Sequence, residues 1–184
     1  MGDRFGRGPG LGLGHGAGFG YGHGARLLVR AAVSLPRLHG GRAVRFRRGR
    51  GRMKRQERLE GSEPLQLYAV IWEAALRQQV GGPDVMRAQL HRILELAQLP
   101  NVRLQVLPFH TGGHACMAGA FSIVSFVEPE AVDVVHVDTI AATVWVEDGV
   151  ESATYSAFFD RTARLSLAPR DSLRLIESIS EDTQ

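Results

Sequence analysis

The segment from Leu65 to Leu107 constrains the fold most, because its apolar pattern changes from strand to helix and back to strand. In the run 65–72 both alternating faces are apolar, which is typical of a strand that is covered on both sides. Residues 83–97 then carry apolar side chains at helical spacing. Residues 102–107 alternate again between apolar and polar side chains. The segment therefore predicts a compact strand–helix–strand unit.

The chain beyond this unit continues with short elements of both kinds. Alternation predicts three more strands, over 120–127, 131–138 and 143–147. Helical spacing predicts two more helices, over about 150–165 and 168–180. In the first of these helices Tyr155, Phe158 and Phe159 share one side and are interpreted as core. Ala168 stands at the predicted N-cap of the last helix and has no side-chain acceptor. The fold class is mixed α+β (mixed α/β), with about five strands and three main helices.

Charge is distributed unevenly along the chain. Residues 1–52 hold 11 of the 22 basic residues and one acid, which gives +10, whereas residues 53–184 hold 11 basic and 18 acidic residues, which gives −7. The overall charge of +3 therefore describes neither part. The acidic part is unsuited to binding bare phosphate, which needs clustered Lys or Arg.

The N-terminal segment has a composition of its own. Residues 1–24 alternate Gly with other residues, and so little side chain to bury predicts disorder. For residues 25–52 two interpretations stay open: a nucleic-acid arm, or a GC-rich gene read from a wrong start or across a frameshift. We expect 1–49 to be a low-complexity segment, disordered or mis-translated, and 50–184 to be the domain. The basic residues of the arm would be Arg42, Arg45, Arg47, Arg48, Arg50 and Arg52.

Three general features bear on the compartment. Cys116 is the single cysteine, which rules out an internal disulfide and fits a reducing compartment. No apolar run approaches the length of about 18 residues that a membrane-spanning helix needs. Gly interrupts every candidate apolar core of a secretory signal. We expect a cytoplasmic protein without membrane association.

Residue types that carry chemistry gather in one loop and one strand. The loop 108–119 contains His110, His114 and Cys116, which are zinc ligands by type, and Cys116 with a loop His is a candidate nucleophile pair. Their spacing matches no closed zinc site, and a fourth ligand is missing. His136 and Asp138 are two positions apart in a predicted strand, so their side chains share a face. They are interpreted either as an acid–base pair or as part of an exposed strand edge. For the loop 108–119 we favour a turn whose polar residues cap backbone groups. No catalytic residue, metal or cofactor is expected.

A series of motifs gives the chain a resemblance to a known family. In chain order they are Arg52–Leu59, Trp72–Arg77, Val80–Leu90, Leu99–Val102, Gln105–Phe109, Gly113-His114, Gly119–Phe121, Phe159–Arg161, Leu167–Pro169 and Ser172-Leu173. Together they resemble the domain of unknown function that lies C-terminal to an Xre-type helix-turn-helix in actinobacterial, antitoxin-like transcriptional regulators. The resemblance covers about residues 50–184. Proteins with this domain usually carry Ser where Ala168 stands and commonly Tyr where His136 stands.

The resemblance implies a regulatory role without catalysis. Its domain would bind a small protein from a neighbouring gene or an unidentified effector, and the helix-turn-helix would supply DNA contact. Here the Gly/Arg-rich residues 1–49 occupy the position of that helix-turn-helix. A truncated or mis-started gene is therefore expected, and direct sequence-specific DNA binding is not expected. The alternatives are non-specific nucleic-acid binding through the arginines and a small hydrolase or metal enzyme that uses the 110–116 loop. The effector, the operator and the oligomeric state remain open.

Overall fold

The computed structural model describes residues 27–33, 57–114, 119–128, 130–139 and 142–183, the first of these ranges by its backbone alone. The strands of this part of the chain are β1 (Leu27–Val33), β2 (Gln66–Trp72), β3 (Val102–Leu107), β4 (Phe121–Phe126), β5 (Val134–Asp138) and β6 (Thr143–Val146). The helices are α1 (Glu73–Arg77), α2 (Pro83–Leu96), α3 (Gly149–Leu165) and α4 (Pro169–Asp182), and single 3₁₀ turns form at Glu57–Leu59 and Phe109–Thr111.

All these strands join one mixed sheet in the order β3-β2-β1-β4-β5-β6. Strands β1, β2 and β3 are parallel, and β4, β5 and β6 continue from β1 in antiparallel pairs. Strand β1 therefore lies between the parallel strands β2 and β3 on one side and the antiparallel series β4 to β6 on the other. One row of directly paired residues crosses the whole sheet and consists of Leu104, Ala69, Ala31, Ser122, His136 and Trp145.

The face opposite this row packs against α3 and is called the α3 face. Its core contains Phe159 of α3, which is fully buried among five strand residues, Val70, Leu107, Phe121, Ile123 and Val135. The Tyr68 ring meets the Phe159 ring edge-on at 4.9 Å, and the Tyr68 hydroxyl donates to Gln105 Oε1. Gln105 Nε2 donates in turn to the Leu167 carbonyl at 2.7 Å, so this buried amide is satisfied.

The face that carries the row packs against two helices and is called the α2/α4 face. Leu90 of α2 and Ile176 and Ile179 of α4 pack there on Leu104 and Val106 of β3. This cover lies over β2 and β3. None of the described helices packs on the same face of β4, β5 and β6, which we call the open half; its residues are Ser122, Val124, Phe126, Val134, His136, Asp138, Thr143 and Trp145.

The predicted elements agree with the observed ones. The strands predicted over 65–72, 102–107, 120–127, 131–138 and 143–147 are β2 to β6, and the three main helices are α2, α3 and α4. The interpretation of the α3 aromatics as core holds for Phe159 and is wrong for Phe158, which is exposed. Phe158 precedes Phe159 in the chain and is rotated from it by about 100° around the helix, so it leaves the buried stripe. None of the described helices is long and apolar enough to span a bilayer.

Strand β1 corrects the expectation for residues 27–33, which fell in the segment placed outside the domain. Its backbone is in register with both neighbours, since Ala31 pairs with Ala69 of β2 and with Ser122 of β4. A strand in the middle of the sheet belongs to the domain, so the domain includes residues 27–33 and does not begin at residue 50. The expected disorder of residues 1–24 concerns residues outside the described part of the chain.

Candidate functional site

Aromatic side chains meet where β2 and β3 end. Trp72 is the last residue of β2, and Phe109 follows β3 after a single proline. Their ring centroids are 6.5 Å apart, and the His114 ring lies edge-on to Trp72 at 5.4 Å. Phe109 is 53% exposed, so the group presents an aromatic surface to solvent. Together with Glu73, these residues form what we call the strand-end cluster.

The Glu73 carboxylate links the parts of the cluster through hydrogen bonds. The residue is only 7% exposed, and its Oε2 accepts a hydrogen bond from the Phe109 backbone N–H at 2.9 Å. Its Oε1 accepts a second bond from Arg77 Nε at 2.8 Å, which also compensates the carboxylate charge. A charge-assisted bond of this kind is stronger than a neutral one. The start of α1 is thereby tied to the turn after β3, and this tie holds Phe109 beside Trp72.

The His114 side chain supplies unused hydrogen-bonding capacity. Both of its ring nitrogens are buried and have no hydrogen-bond partner among the described residues. Burial also lowers the pKa of His114, because a protonated ring loses solvation there. The ring is therefore neutral near pH 7, with one nitrogen able to donate and one able to accept. Its neighbours 115–118 lie outside the described residues, and Cys116 is one of them.

The position of the cluster in the sheet matches a common location of binding sites. The carboxyl ends of the three parallel strands lie at one edge, and the connection from β3 to β4 crosses that edge past β2 and β1. In open α/β sheets ligands bind outside the carboxyl ends of strands, where the strand order changes direction. The change of direction occurs here between β1 and β4. Two members of the strand-end cluster, Phe109 and His114, lie on the connection from β3 to β4.

A second polar group lies on the open half. The Nε2 atom of His136 is 3.7 Å from Asp138 Oδ1, and Thr143 Oγ1 donates to that same oxygen at 2.8 Å. The His136 ring also packs against the Trp145 ring at 4.7 Å. The prediction that His136 and Asp138 share a face is confirmed. Their separation exceeds hydrogen-bond range, so the pair lacks the direct bond that orients a general base.

The other candidate residues are separated by the fold or lie beyond its described part. His110 is exposed in the turn after β3, while His114 packs on Trp72. Across the described ranges, no three His, Cys, Asp or Glu side chains form a group that could hold a metal ion. The arginines proposed as a nucleic-acid arm lie outside the described residues and are Arg42, Arg45, Arg47, Arg48, Arg50 and Arg52.

Sequence reasoning missed three members of the strand-end cluster. Trp72 was interpreted as part of a covered strand, and Glu73 as part of a short helical turn. A signal was present, because an aromatic residue ends one buried strand and a Pro-Phe pair follows the next. Parallel neighbours end at the same edge, so Trp72 and Phe109 had to approach each other. The pairing of Trp72 with Leu107 in the sheet register confirms this geometry.

The sheet with helices on both faces defines a mixed α/β domain. The chain belongs to the family described as Domain of unknown function (DUF5753), whose model matches residues 25–178. This match includes β1 and agrees with its place in the sheet. No curated protein and no solved structure matches the chain.

Proposed function

We propose that the chain is a regulatory domain of an Xre-type, antitoxin-like transcriptional regulator of actinobacterial origin. It acts by binding a small protein from a neighbouring gene or an effector, without catalysis, in the cytoplasm. The observation that carries this proposal is the strand-end cluster, in which the exposed Phe109 is fixed against Trp72 and His114 by a buried carboxylate. Rigid, half-exposed aromatic side chains are typical anchors of binding surfaces.

The charge of the domain supports a protein or small-molecule partner over nucleic acid. Residues 57–183 hold nine basic and 18 acidic residues. Binding to DNA depends on neutralising phosphates with clustered Lys and Arg, and an excess of carboxylates opposes it. In a regulator of this type a helix-turn-helix makes the DNA contacts, and the domain transmits the presence of the partner.

The geometry of the loop favours binding over hydrolysis. A nucleophile needs a base within hydrogen-bond reach, and the base needs a third group that orients it. The His114 ring packs edge-on against Trp72, and none of the described side chains bonds its nitrogens. His110 on the same loop is exposed. This arrangement suits contact with a bound molecule, for which the exposed Phe109 ring beside Trp72 provides an aromatic surface.

The proposal is tested by calorimetric titration of the full chain with the purified product of the neighbouring gene. Phe109→Ala should weaken binding by about tenfold or more, which is a loss of ~1.4 kcal/mol and modest for an aromatic anchor. Val85→Ala is the matched control, because Val85 is an exposed apolar residue on α2 and away from the cluster. Equal affinity of the Phe109→Ala chain and the unmodified chain would place the partner surface elsewhere and contradict the proposal.

A further inference from the structure

The two edges of the sheet differ in how their outward-facing backbone groups are used. On the edge strand β3, Ser172 and Leu167 bond the outward N–H and C=O of Val106. The other edge strand is β6, and within the described part of the chain no hydrogen bond is made to its outer backbone groups. An edge strand in this state can pair with a strand of another chain.

The register of the β5–β6 hairpin identifies the outward groups. The Thr139 N–H donates to the Ala142 carbonyl at 2.7 Å, so these two residues form a hydrogen-bonded pair. Hydrogen-bonded and non-hydrogen-bonded pairs alternate along antiparallel strands, so Thr143 and Trp145 are in non-hydrogen-bonded pairs with β5. The 4.7 Å between the Trp145 and His136 rings agrees with the close side chains of such a pair. The N–H and C=O of Thr143 and Trp145 therefore point away from β5.

The side chains of β6 also favour the addition of a strand. The strand contains no charged residue and no proline, which are the usual means of discouraging edge pairing. Val144 is 42% exposed and Trp145 is 58% exposed, and successive side chains lie on opposite faces of the sheet. Apolar surface therefore borders this edge on both faces. Side chains that are β-branched or aromatic pack well across neighbouring strands.

The acidic residues directly after β6 determine the direction in which a second copy can add. Glu147 and Asp148 follow the strand and are exposed. Parallel pairing of two copies would place their Glu147 side chains next to each other, where like charges repel. Antiparallel pairing places these acids at opposite ends of the paired strands. A strand that pairs antiparallel with its own copy generates a two-fold axis, which is the most common symmetry of protein oligomers.

The outward groups also select the register of the antiparallel pair. With Thr143 of one copy opposite Trp145 of the other, the outward N–H and C=O groups of both strands bond each other. The two-fold axis then passes through Val144, which faces its own copy with about 4.5–5.5 Å between the Cβ atoms. The Trp145 side chains of the two copies become diagonal neighbours roughly 7–8 Å apart, which is within reach of aromatic contact.

We propose that β6 pairs antiparallel with β6 of a second copy of this chain, with Val144 on the two-fold axis, so that one continuous sheet crosses the dimer. The paired strand has four residues, so the interface is small and the dimer is reversible. The inference is independent of the function proposed above, because the strand-end cluster lies at the ends of β2 and β3, on the other half of the sheet.

Sedimentation equilibrium of the full chain tests the pairing. The unmodified chain should pass from monomer to dimer with a dissociation constant of roughly 10–100 μM, as expected for a small interface. Val144→Lys should raise this constant about tenfold or more, because two like charges would face each other on the axis. Val150→Lys is the matched control. It adds the same charge at an exposed apolar residue on α3 and should leave the constant unchanged.

A second substitution at the same position separates loss of pairing from loss of folding. Val144→Glu alone should weaken the dimer as Val144→Lys does. An equimolar mixture of the two variants should associate again, since a lysine side chain of one copy then faces a glutamate side chain of the other. Mixing cannot restore association between misfolded chains.

Hydrogen exchange of the unmodified chain tests the pairing without a variant. Peptides covering 143–146 should exchange more slowly at a concentration at which the dimer forms than on dilution. Peptides covering 102–107 should exchange alike at both concentrations, because the outward groups of Val106 on β3 are already bonded within the chain.

Any of four results would overturn the proposal. The first is a full chain that stays monomeric throughout the concentration range. The second is a dimer that Val144→Lys leaves intact, which would place the contact elsewhere on the chain. The third is a mixture of the two Val144 variants that does not associate. The fourth is exchange over 143–146 that does not depend on concentration.

Discussion

The side-chain oxygen of Ser172 lies 2.8 Å from the backbone nitrogen of Val106 and accepts its hydrogen bond. The Val106 carbonyl accepts a bond from the Leu167 N–H at 2.9 Å. Val106 is on the edge strand β3, so these two bonds satisfy the outward-facing polar groups at the centre of that edge. An unpaired edge strand would be a template for association with another chain. The start of α4 therefore closes this side of the sheet.

Ser172→Ala should lower the free energy of unfolding by about 1–3 kcal/mol, because the Val106 N–H is then buried without its partner. Ser172 itself is fully buried, so water cannot replace the hydroxyl without rearrangement. Urea unfolding followed by circular dichroism measures the loss. Ser178→Ala on the exposed side of α4 is the control and should stay within about 0.5 kcal/mol of the unmodified chain. Matching urea midpoints for the two variants would show that the edge bond contributes little.

Asn101→Ala should also destabilise the domain by about 1–3 kcal/mol. The buried Asn101 amide donates to the Leu59 carbonyl at 3.0 Å and to the Leu65 carbonyl at 2.7 Å. It thus connects the turn before β3 to the segment that leads into β2. Thermal unfolding should show a lower midpoint for Asn101→Ala, while Gln98→Ala at an exposed position on the same turn should not change it. An unchanged midpoint for Asn101→Ala would contradict this account.

Ala168→Ser should stabilise the domain by about 1 kcal/mol, because Ala168 is the N-cap of α4 and makes no side-chain capping bond. A Ser hydroxyl can accept from the free N–H groups of the first turn. The N-cap of α3 is the internal comparison, since Asp148 Oδ1 accepts from Val150 and Glu151 at 2.9 and 3.0 Å. Asp148→Ala should therefore lose about as much as Ala168→Ser gains. Chemical denaturation measures both, and a destabilised Ala168→Ser chain would refute the capping argument.

The stability of the domain should fall as the pH drops through the ordinary pKa of histidine, which is 6.5. Burial lowers the pKa of His114, so the unfolded chain binds the proton at a pH where the folded chain does not. The stability is fully present above that value, and the loss levels off below the lowered pKa of the folded state. His114→Gln should reduce the slope of urea midpoint against pH, whereas His110→Gln should retain it. An unaltered slope in the His114→Gln chain would assign the pH dependence to other groups.

Local pattern was sufficient for most of the secondary structure. The alternation of residues 102–107 and the helical spacing of Met86 and Leu90 depend on neighbours within a few positions, and both elements formed as predicted. The same reasoning placed His136 and Asp138 on one face. In contrast, β1 was missed although Leu27–Val33 is largely apolar, because the Gly and Arg of its surroundings dominated the interpretation. Its role depends on pairing with β2 and β4, which lie far away in the chain.

By itself, the sequence determined the type and approximate position of β2 to β6 and of the three main helices, and it singled out the loop that carries His114. Only the tertiary structure decided that Trp72, Glu73 and Phe109 would gather around this histidine, and that Trp145 would stand exposed beside His136. The physical reason is that backbone preference and periodicity are local. Contacts between strand ends depend on strand order and register, which long-range packing selects.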